Sequence, residues 1–339
     1  MDFLAFRRLS QRSLVSLILL AAAAAPALAD DPPAAQKPLP QALVEALNKL
    51  SGGPHAGYRA NHAKGVMVTG SFTPTKEAPS LSKAPHFLHK VPVTVRFSDT
   101  TGVPNLPDAD PNASPHGMAI RFQLPGGATT DIVSISANSF PVSKPEDFLA
   151  LLQAIAASGP GAPHPTPVEQ FLGSHPAALK FVTTPRPAPD SFGTLAFYGV
   201  NAFKFTNAKG KSSYIRYQIL PLAGEHAMSA DAATKVAPNY LMDELPARIA
   251  KGPVKFRLLA QIANEGDTVD DATAVWPETN KTVELGTITL DKVVADQVGE
   301  QKKILYNPVS LPAGIEPSAD PILAARFPAY AVSYGQRAQ

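Results

Sequence analysis

The chain has 339 residues, no cysteine and a formal net charge of +2, with 45% hydrophobic and 17% charged residues. The lack of cysteine excludes disulfides, thiolate iron ligands, iron–sulfur clusters and a covalently attached c-type haem, because each needs sulfur. A net charge near zero offers nothing to draw a polyanion, so no nucleic-acid partner is expected.

Taken in order, Met1 to Ala29 carries Arg7, Arg8 and Arg12, then the mostly apolar run Leu14 to Ala25, then Ala27-Leu28-Ala29 ahead of Asp30. That is the layout of a signal peptide with a small-residue cleavage site, and the apolar run is too short to span a bilayer permanently. The expectation is a periplasmic protein, exported by the general secretory route because Leu-Ser-Gln after Arg7-Arg8 makes a weak twin-arginine signal. No second membrane segment follows, so no membrane association is expected once the signal is removed. About 310 residues then remain, enough for one large domain or two small ones. An exported chain without disulfides must be held by its core.

Proline is abundant, 35 residues, and concentrated in Asp31 to Pro40, Gly159 to Pro167 and Pro185 to Pro189. These read as linkers or long loops, the first giving a proline-rich linker over residues 30–41 and a folded domain over residues 42–339. Leu43 to Leu50 has amphipathic helical spacing. Val66 to Phe72, Val91 to Phe97, Gly117 to Leu124 and Asp131 to Ile135 carry the β-branched, alternating pattern of half-buried strands. Pro145 to Ile155 and His175 to Val182 read as helices. A second group of strands follows at Ala202 to Phe205, Ser213 to Leu220, Val254 to Ile262 and Glu284 to Leu290, with a helix from Met242 to Lys251 among them. Two runs of strands with helical insertions, and no regular βαβ rhythm, predict an α+β protein on an antiparallel sheet or barrel.

The last predicted helix opens at Asp320-Pro321, with Asp as N-cap and Pro in the first turn, and continues through an Ala/Leu/Arg run. Arg326 and Tyr330, four apart, share a face of that helix if it continues past Pro328, which is expected to kink it. A cation beside a phenol of unperturbed pKa about 10 favours the phenolate, a hard anionic ligand suited to ferric iron. A half-buried core tyrosine beside a surface arginine fits the same residues.

Near the start of the domain stands Arg59-Ala60-Asn61-His62-Ala63-Lys64-Gly65, immediately ahead of a strand. Then come Val95-Arg96-Phe97-Ser98, Asp108 to Asp110, His116 to Phe122, Asp131-Ile132-Val133 and Pro145-Glu146-Asp147-Phe148, and later Asn307-Pro308, Gly314 to Ser318, Asp320 and Arg326 to Tyr330. Each tag alone is weak. In this order and spacing they resemble the haem catalase family over roughly Gly57 to Arg337.

The resemblance implies an antiparallel eight-stranded β-barrel surrounded by helices, holding haem b. It implies that His62 is the distal histidine that moves a proton between the oxygens of a peroxide, and that Ser98 orients its ring. It implies Tyr330 as the proximal iron ligand, Arg326 as its charge partner and Asp320 as a proximal-side acid. Arg59, Arg96 and Arg337 match arginines that bind haem propionates, and Phe148 an aromatic on the distal face.

The chain also departs from the family. Ile135 or Ser136 stands where a distal asparagine is usual, with Asn138 out of place, and Asn201 replaces a proximal histidine after Tyr198-Gly199. No flavodoxin-like C-terminal domain is expected after the tyrosine helix. These departures resemble the small catalase-related peroxidases and imply a haem peroxidase that reduces hydrogen peroxide or organic hydroperoxides with a small organic donor, with weak or no catalase activity. Alternatives are a lipid hydroperoxide isomerase or lyase, or a non-catalytic periplasmic haem carrier. A homodimer is the expected assembly only because homodimers are the commonest.

Overall fold

The computed structural model describes residues 37–338. The expected signal peptide, Met1 to Ala29, lies outside the described residues. The expected linker over 30–41 is cut short at its C-terminal end: α1 spans Leu39–Leu50, four residues earlier than predicted, because Pro40 sits in the first turn, where a missing N–H costs nothing.

The strands β1 (Gly65–Pro74), β2 (Val91–Ser98), β3 (Gly117–Gln123) and β4 (Thr129–Ile135) form an antiparallel meander. Helices α2 (Pro145–Ala156), α3 (Pro167–Ser174) and α4 (Pro176–Thr183) follow as an insertion, each with proline at its start. Helix α3 was not predicted. Its proline closes the expected loop, and Thr166 with Glu169 makes a reciprocal capping box. Next come β5 (Phe197–Tyr198), β6 (Phe203–Thr206), β7 (Ser212–Pro221), α5 (Ala230–Ala233), α6 (Tyr240–Lys251), β8 (Val254–Ile262), β9 (Thr282–Val293), α7 (Gln297–Lys303), β10 (Ile315–Pro317) and α8 (Pro321–Ala338).

The sheet closes on itself. Strand β9 pairs with β1 on one edge and β8 on the other; β8 pairs with β7, and β7 with β5, which returns to β4. Eight antiparallel strands thus form a barrel, as expected, while β6 and β10 extend from β7. Closure removes the sheet edges and leaves an inside and an outside to every strand. On β2 the odd positions Val91, Val93, Val95 and Phe97 are buried in the barrel core. They meet Met118, Ile120 and Phe122 of β3, and the aromatic rings of Phe97, Phe197 and Phe256 pack with centroids 5.7–6.3 Å apart.

The even positions of β2 point out of the barrel, and the register carries this across three strands. Ser98 pairs with Gly117, which pairs with Ile135; Arg96 pairs with Ala119, which pairs with Val133. Helix α8 passes through Pro328 and runs on for ten more residues to Ala338. It packs against α1, α2 and α7, so the outer face of β2–β4 is roofed rather than exposed.

Candidate active site

Under this roof lies a cavity of about 240 Å³. The outward residues Arg96 and Ser98 of β2, Gly117 and Ala119 of β3, and Val133 and Ile135 of β4 line one side, a direct product of strand alternation and register. Helix α8 contributes Ile322, Ala325, Arg326, Ala329, Tyr330, Ser333 and Arg337, the spacing of one helical face. Leu43, Val44 and Leu47 of α1, with Phe140 and Phe148, complete the apolar walls, the two rings lying 5.0 Å apart.

His62 enters from the segment ahead of β1. Its φ of +57° lies in the left-handed region, costly for a side-chain-bearing residue but one in which histidine is enriched. Thr101, at φ +77°, is a stronger outlier, since β-branched residues rarely adopt it. The two are clipped together: the Ala63 N–H donates to the Thr101 carbonyl (2.9 Å), and the Thr101 N–H donates to Asn61 Oδ1 (2.9 Å). Ser98 Oγ and His62 Nδ1 are hydrogen-bonded at 3.1 Å, leaving Nε2 as the ring nitrogen free to serve the cavity. Burial, and then the Arg96 guanidinium, push the His62 imidazole down to about 3, so the ring is neutral over the physiological range.

Two glycines make this corner possible. A methyl group on Gly117 would lie 2.7 Å from Ser98 Oγ and 2.9 Å from His62 Nδ1, and one on Gly65 would lie 2.5 Å from Arg96 Nη2. At Gly117 glycine serves close approach of side chains, and at Gly65 close approach of the Phe97 carbonyl as well as of Arg96, rather than unusual backbone.

On α8, Arg326 Nε donates to Tyr330 Oη at 2.9 Å, realising the pair expected from their spacing. Arg326 Nη1 also donates to Asn201 Oδ1 (2.7 Å), and Asn201 Nδ2 donates to Asp320 Oδ2 (2.8 Å). Asp320 in turn accepts the Ile322 N–H at 2.8 Å, capping the helix. Asp320 therefore stands behind the cavity wall: it positions Asn201, and through it Arg326, instead of facing the cavity. Burial holds its carboxyl above the usual range.

At another part of the cavity Arg59, Arg96 and Arg337 come together. Among the described residues none of the three is paired with a carboxylate: Arg59 donates to the Ile304 carbonyl, Arg96 to the Ala63 carbonyl and Gln301, and Arg337 to the carbonyls of Ile304 and Lys302. Burial and mutual repulsion lower the pKa of Arg59 well below its usual value, and burial first brings Arg96 and Arg337 to about 10. Three guanidinium groups without a carboxylate partner leave an excess of buried positive charge in this part of the cavity, complementary to a ligand that carries carboxylates. Beside them Tyr306 is buried with its hydroxyl unpartnered. Adjacent Arg121, by contrast, is held bidentately by Asp131 at 2.8 and 2.7 Å.

All the sequence-derived site residues except Asp320 thus line one cavity. Asn138 is not among its lining residues, Ile135 is, and Ser136 Oγ is taken by the His116 N–H (2.9 Å), so β4 supplies no amide. The residues that sequence reasoning missed are Asn61, Gly65, Gly117, Phe140 and Tyr306. An isolated glycine at a strand start was the one available signal, for Gly65 and Gly117.

The catalase family model matches residues 55–338. The chain is 36% identical over 298 residues to a catalase-related peroxidase of Mycolicibacterium paratuberculosis, covering 87% of this chain and 93% of that protein. It is 34% identical over 291 residues to a catalase-related peroxidase of Synechococcus elongatus, covering 84% and 85% respectively. Mus musculus catalase is 29% identical over 301 residues, and there the match spans only 56% of the relative. A fungal catalase crystal structure superposes with a TM-score of 0.74 at 22% identity, over 84% of this chain and 59% of that one.

Proposed function

The chain belongs to the catalase family and is an oxidoreductase acting on peroxide, and from that premise we propose that it is a haem b-dependent peroxidase that oxidises a small organic donor. The observation that carries the reading is the convergence, on one cavity, of the His62–Ser98 pair, the Tyr330–Arg326 pair and three guanidinium groups lacking carboxylate partners. That donor set fits haem: a phenolate for ferric iron, cations for the two propionates, and apolar walls from α1, Phe140 and Phe148 for the ring. When bound, haem would supply the redox centre at which the peroxide O–O bond is broken and to which the donor returns electrons.

The chain's own residues manage protons and charge. His62, neutral and fixed through Nδ1 by Ser98, takes a proton from one peroxide oxygen at its other nitrogen and delivers it to the second, which leaves as water or alcohol. Arg96, the cation that depresses His62 basicity most, is also a proposed propionate partner; pairing with that anion offsets its charge and raises the imidazole pKa on loading. Arg326, donating to Tyr330 Oη, fixes the phenol oxygen and is itself held by Asn201, which Asp320 positions. Cavity walls of Val133, Ile135, Phe140 and Phe148 limit water.

Ile135 at the place of the usual distal amide is the basis for weak dismutation, since a second peroxide finds no amide from β4 to hold it. A haem carrier has no use for a hydrogen-bonded distal histidine. The proposed location is the periplasm, on the strength of the Arg7–Ala29 signal pattern.

The test is oxidation of a phenolic donor by the haem-reconstituted protein, with oxygen evolution followed in parallel without donor. His62→Ala is expected to lose roughly 10²- to 10⁴-fold in donor oxidation while retaining haem absorbance. Full activity in that variant, or donor-independent oxygen evolution faster than donor oxidation, refutes the proposal.

A further inference from the structure

Tyr306 is the one cavity-lining side chain whose buried polar atom has no partner among the described residues. It follows α7 in Ile304-Leu305-Tyr306-Asn307-Pro308, with its ring buried at 6% exposure. Two features fix it there. The Arg121 guanidinium lies over its ring at 5.3 Å, and the Asn307 N–H donates to Asp131 Oδ2 (2.6 Å), tying the segment to the Arg121–Asp131 pair. Arg121 also donates to the carbonyl of Leu305. The segment is therefore held independently of the Tyr306 hydroxyl, which is not used to build it.

The charges nearest the hydroxyl include Arg59 and Arg96 on one hand and Asp131 on the other. Asp131 is committed to Arg121 through both oxygens and to the Asn307 amide, and it makes no hydrogen bond with Tyr306. Guanidinium groups only donate. A buried hydroxyl among donors, with the local carboxylate already committed, can give its hydrogen only to an acceptor brought in from outside. The acceptor that Arg59, Arg96 and Arg337 also call for is a carboxylate.

We propose that Tyr306 is a fourth anchor for the acidic edge of the cofactor, donating its phenolic hydrogen to a carboxylate held by Arg59, Arg96 and Arg337. The proposal rests on the haem reading, which places the two propionates at the guanidinium cluster. A free carboxylate, such as that of an acidic organic peroxide, shares the same chemistry, and the experiment separates the two sources.

The experiment is equilibrium titration of apo-protein with ferric protoporphyrin IX and with its dimethyl ester, followed by absorbance, for wild type and Tyr306→Phe, together with thermal melting of both apo-proteins. A lost hydrogen bond to a charged acceptor predicts a Kd for haem weaker by about 10- to 100-fold in Tyr306→Phe, and a ratio near one for the diester. The apo-variant should melt at or above the wild-type temperature, since it no longer buries an unpartnered hydroxyl. Equal haem affinity in the two proteins overturns the proposal, as does an equal loss for haem and diester accompanied by a lower apo melting temperature, which marks a merely structural tyrosine. Equal haem affinity with weaker binding of decanoate by Tyr306→Phe overturns it in favour of the free carboxylate. Failure of the wild-type protein to bind haem at all overturns the haem reading itself.

Discussion

Gly117→Ala is the smallest change that separates the fold from the chemistry. Gly117 pairs with Ser98 across β2 and β3, and its missing side chain faces the His62–Ser98 hydrogen bond. The added carbon would stand 2.7 Å from Ser98 Oγ, 2.9 Å from His62 Nδ1 and 3.0 Å from its Cε1. Favourable separations start at about 3.5 Å, so the pair must move by roughly 0.5–0.8 Å. Neither partner has an easy retreat. Ser98 is held in β2 between Gly65 and Gly117, and His62 sits at a left-handed φ pinned by the neighbouring Ala63–Thr101 bond. Overpacking of this kind costs about 1–3 kcal/mol, a fall of several degrees in Tm. A misplacement approaching 1 Å at a proton-transfer group costs about 10²-fold in rate. The assay is initial donor oxidation at saturating peroxide in haem-loaded protein, alongside a melting curve. Adding Ser98→Ala removes the closest clashing atom, so the double variant should regain much of the Tm while its rate stays low, the imidazole having lost its partner. Wild-type turnover in Gly117→Ala would refute the claim that the pair's position decides the rate.

Asp320→Ala removes both the cap on the Ile322 N–H and the acceptor for Asn201, and should cost about 1–2 kcal/mol in denaturant unfolding; Asp320→Asn, which keeps a capping oxygen, should cost less, and unchanged stability in the alanine variant would contradict the capping role. His86, buried against Phe87 and Phe122 with Nδ1 unpartnered, has its imidazole pushed down by burial to about 3. The folded protein refuses a proton that the unfolded chain accepts below about pH 6.5, so the stability is whole above that pH and is lost as pH falls towards 3, by about 3 kcal/mol at pH 4.5. His86→Phe should therefore flatten the loss between pH 7 and 4.5 in urea melts. Asp99 and Asp108, raised by burial to about 6, titrate with the opposite sign but alike in both proteins, so parallel pH curves would disprove the assignment to His86.

Much of the fold was legible because its strands alternate cleanly. Val91 to Phe97 and Val254 to Ile262 announce themselves by period two and β-branching, and both appear within a residue of the expected bounds. Strand β5, two residues long, and β10, three residues long, carry too little periodicity to be seen. Helix α7, Gln297–Lys303, has no apolar face to detect and exists because Asp296 caps it and Gln297 and Gln301 bond to β1 and Arg96. The helix continues past Pro328 to Ala338, as sharing a face between Arg326 and Tyr330 required, and α8 packs on α1, α2 and α7.

For the site, the sequence alone determined the chemical inventory: His62 and Ser98, Arg326 four residues ahead of Tyr330, and three arginines with spacings that resemble one family. Local spacing suffices there because helical neighbours and ordered motifs are properties of the chain itself. Only the tertiary structure decided which of these residues face one another. Register across β2, β3 and β4 turned Ser98, Gly117 and Ile135 into a single row; Asp320 was moved behind the wall to hold Asn201; and Tyr306, unremarkable in sequence, was left as a buried hydroxyl beside three unneutralised guanidinium groups. The physical reason is that burial and unmet hydrogen bonds are sums over neighbours distant in the chain, and no window of sequence contains them.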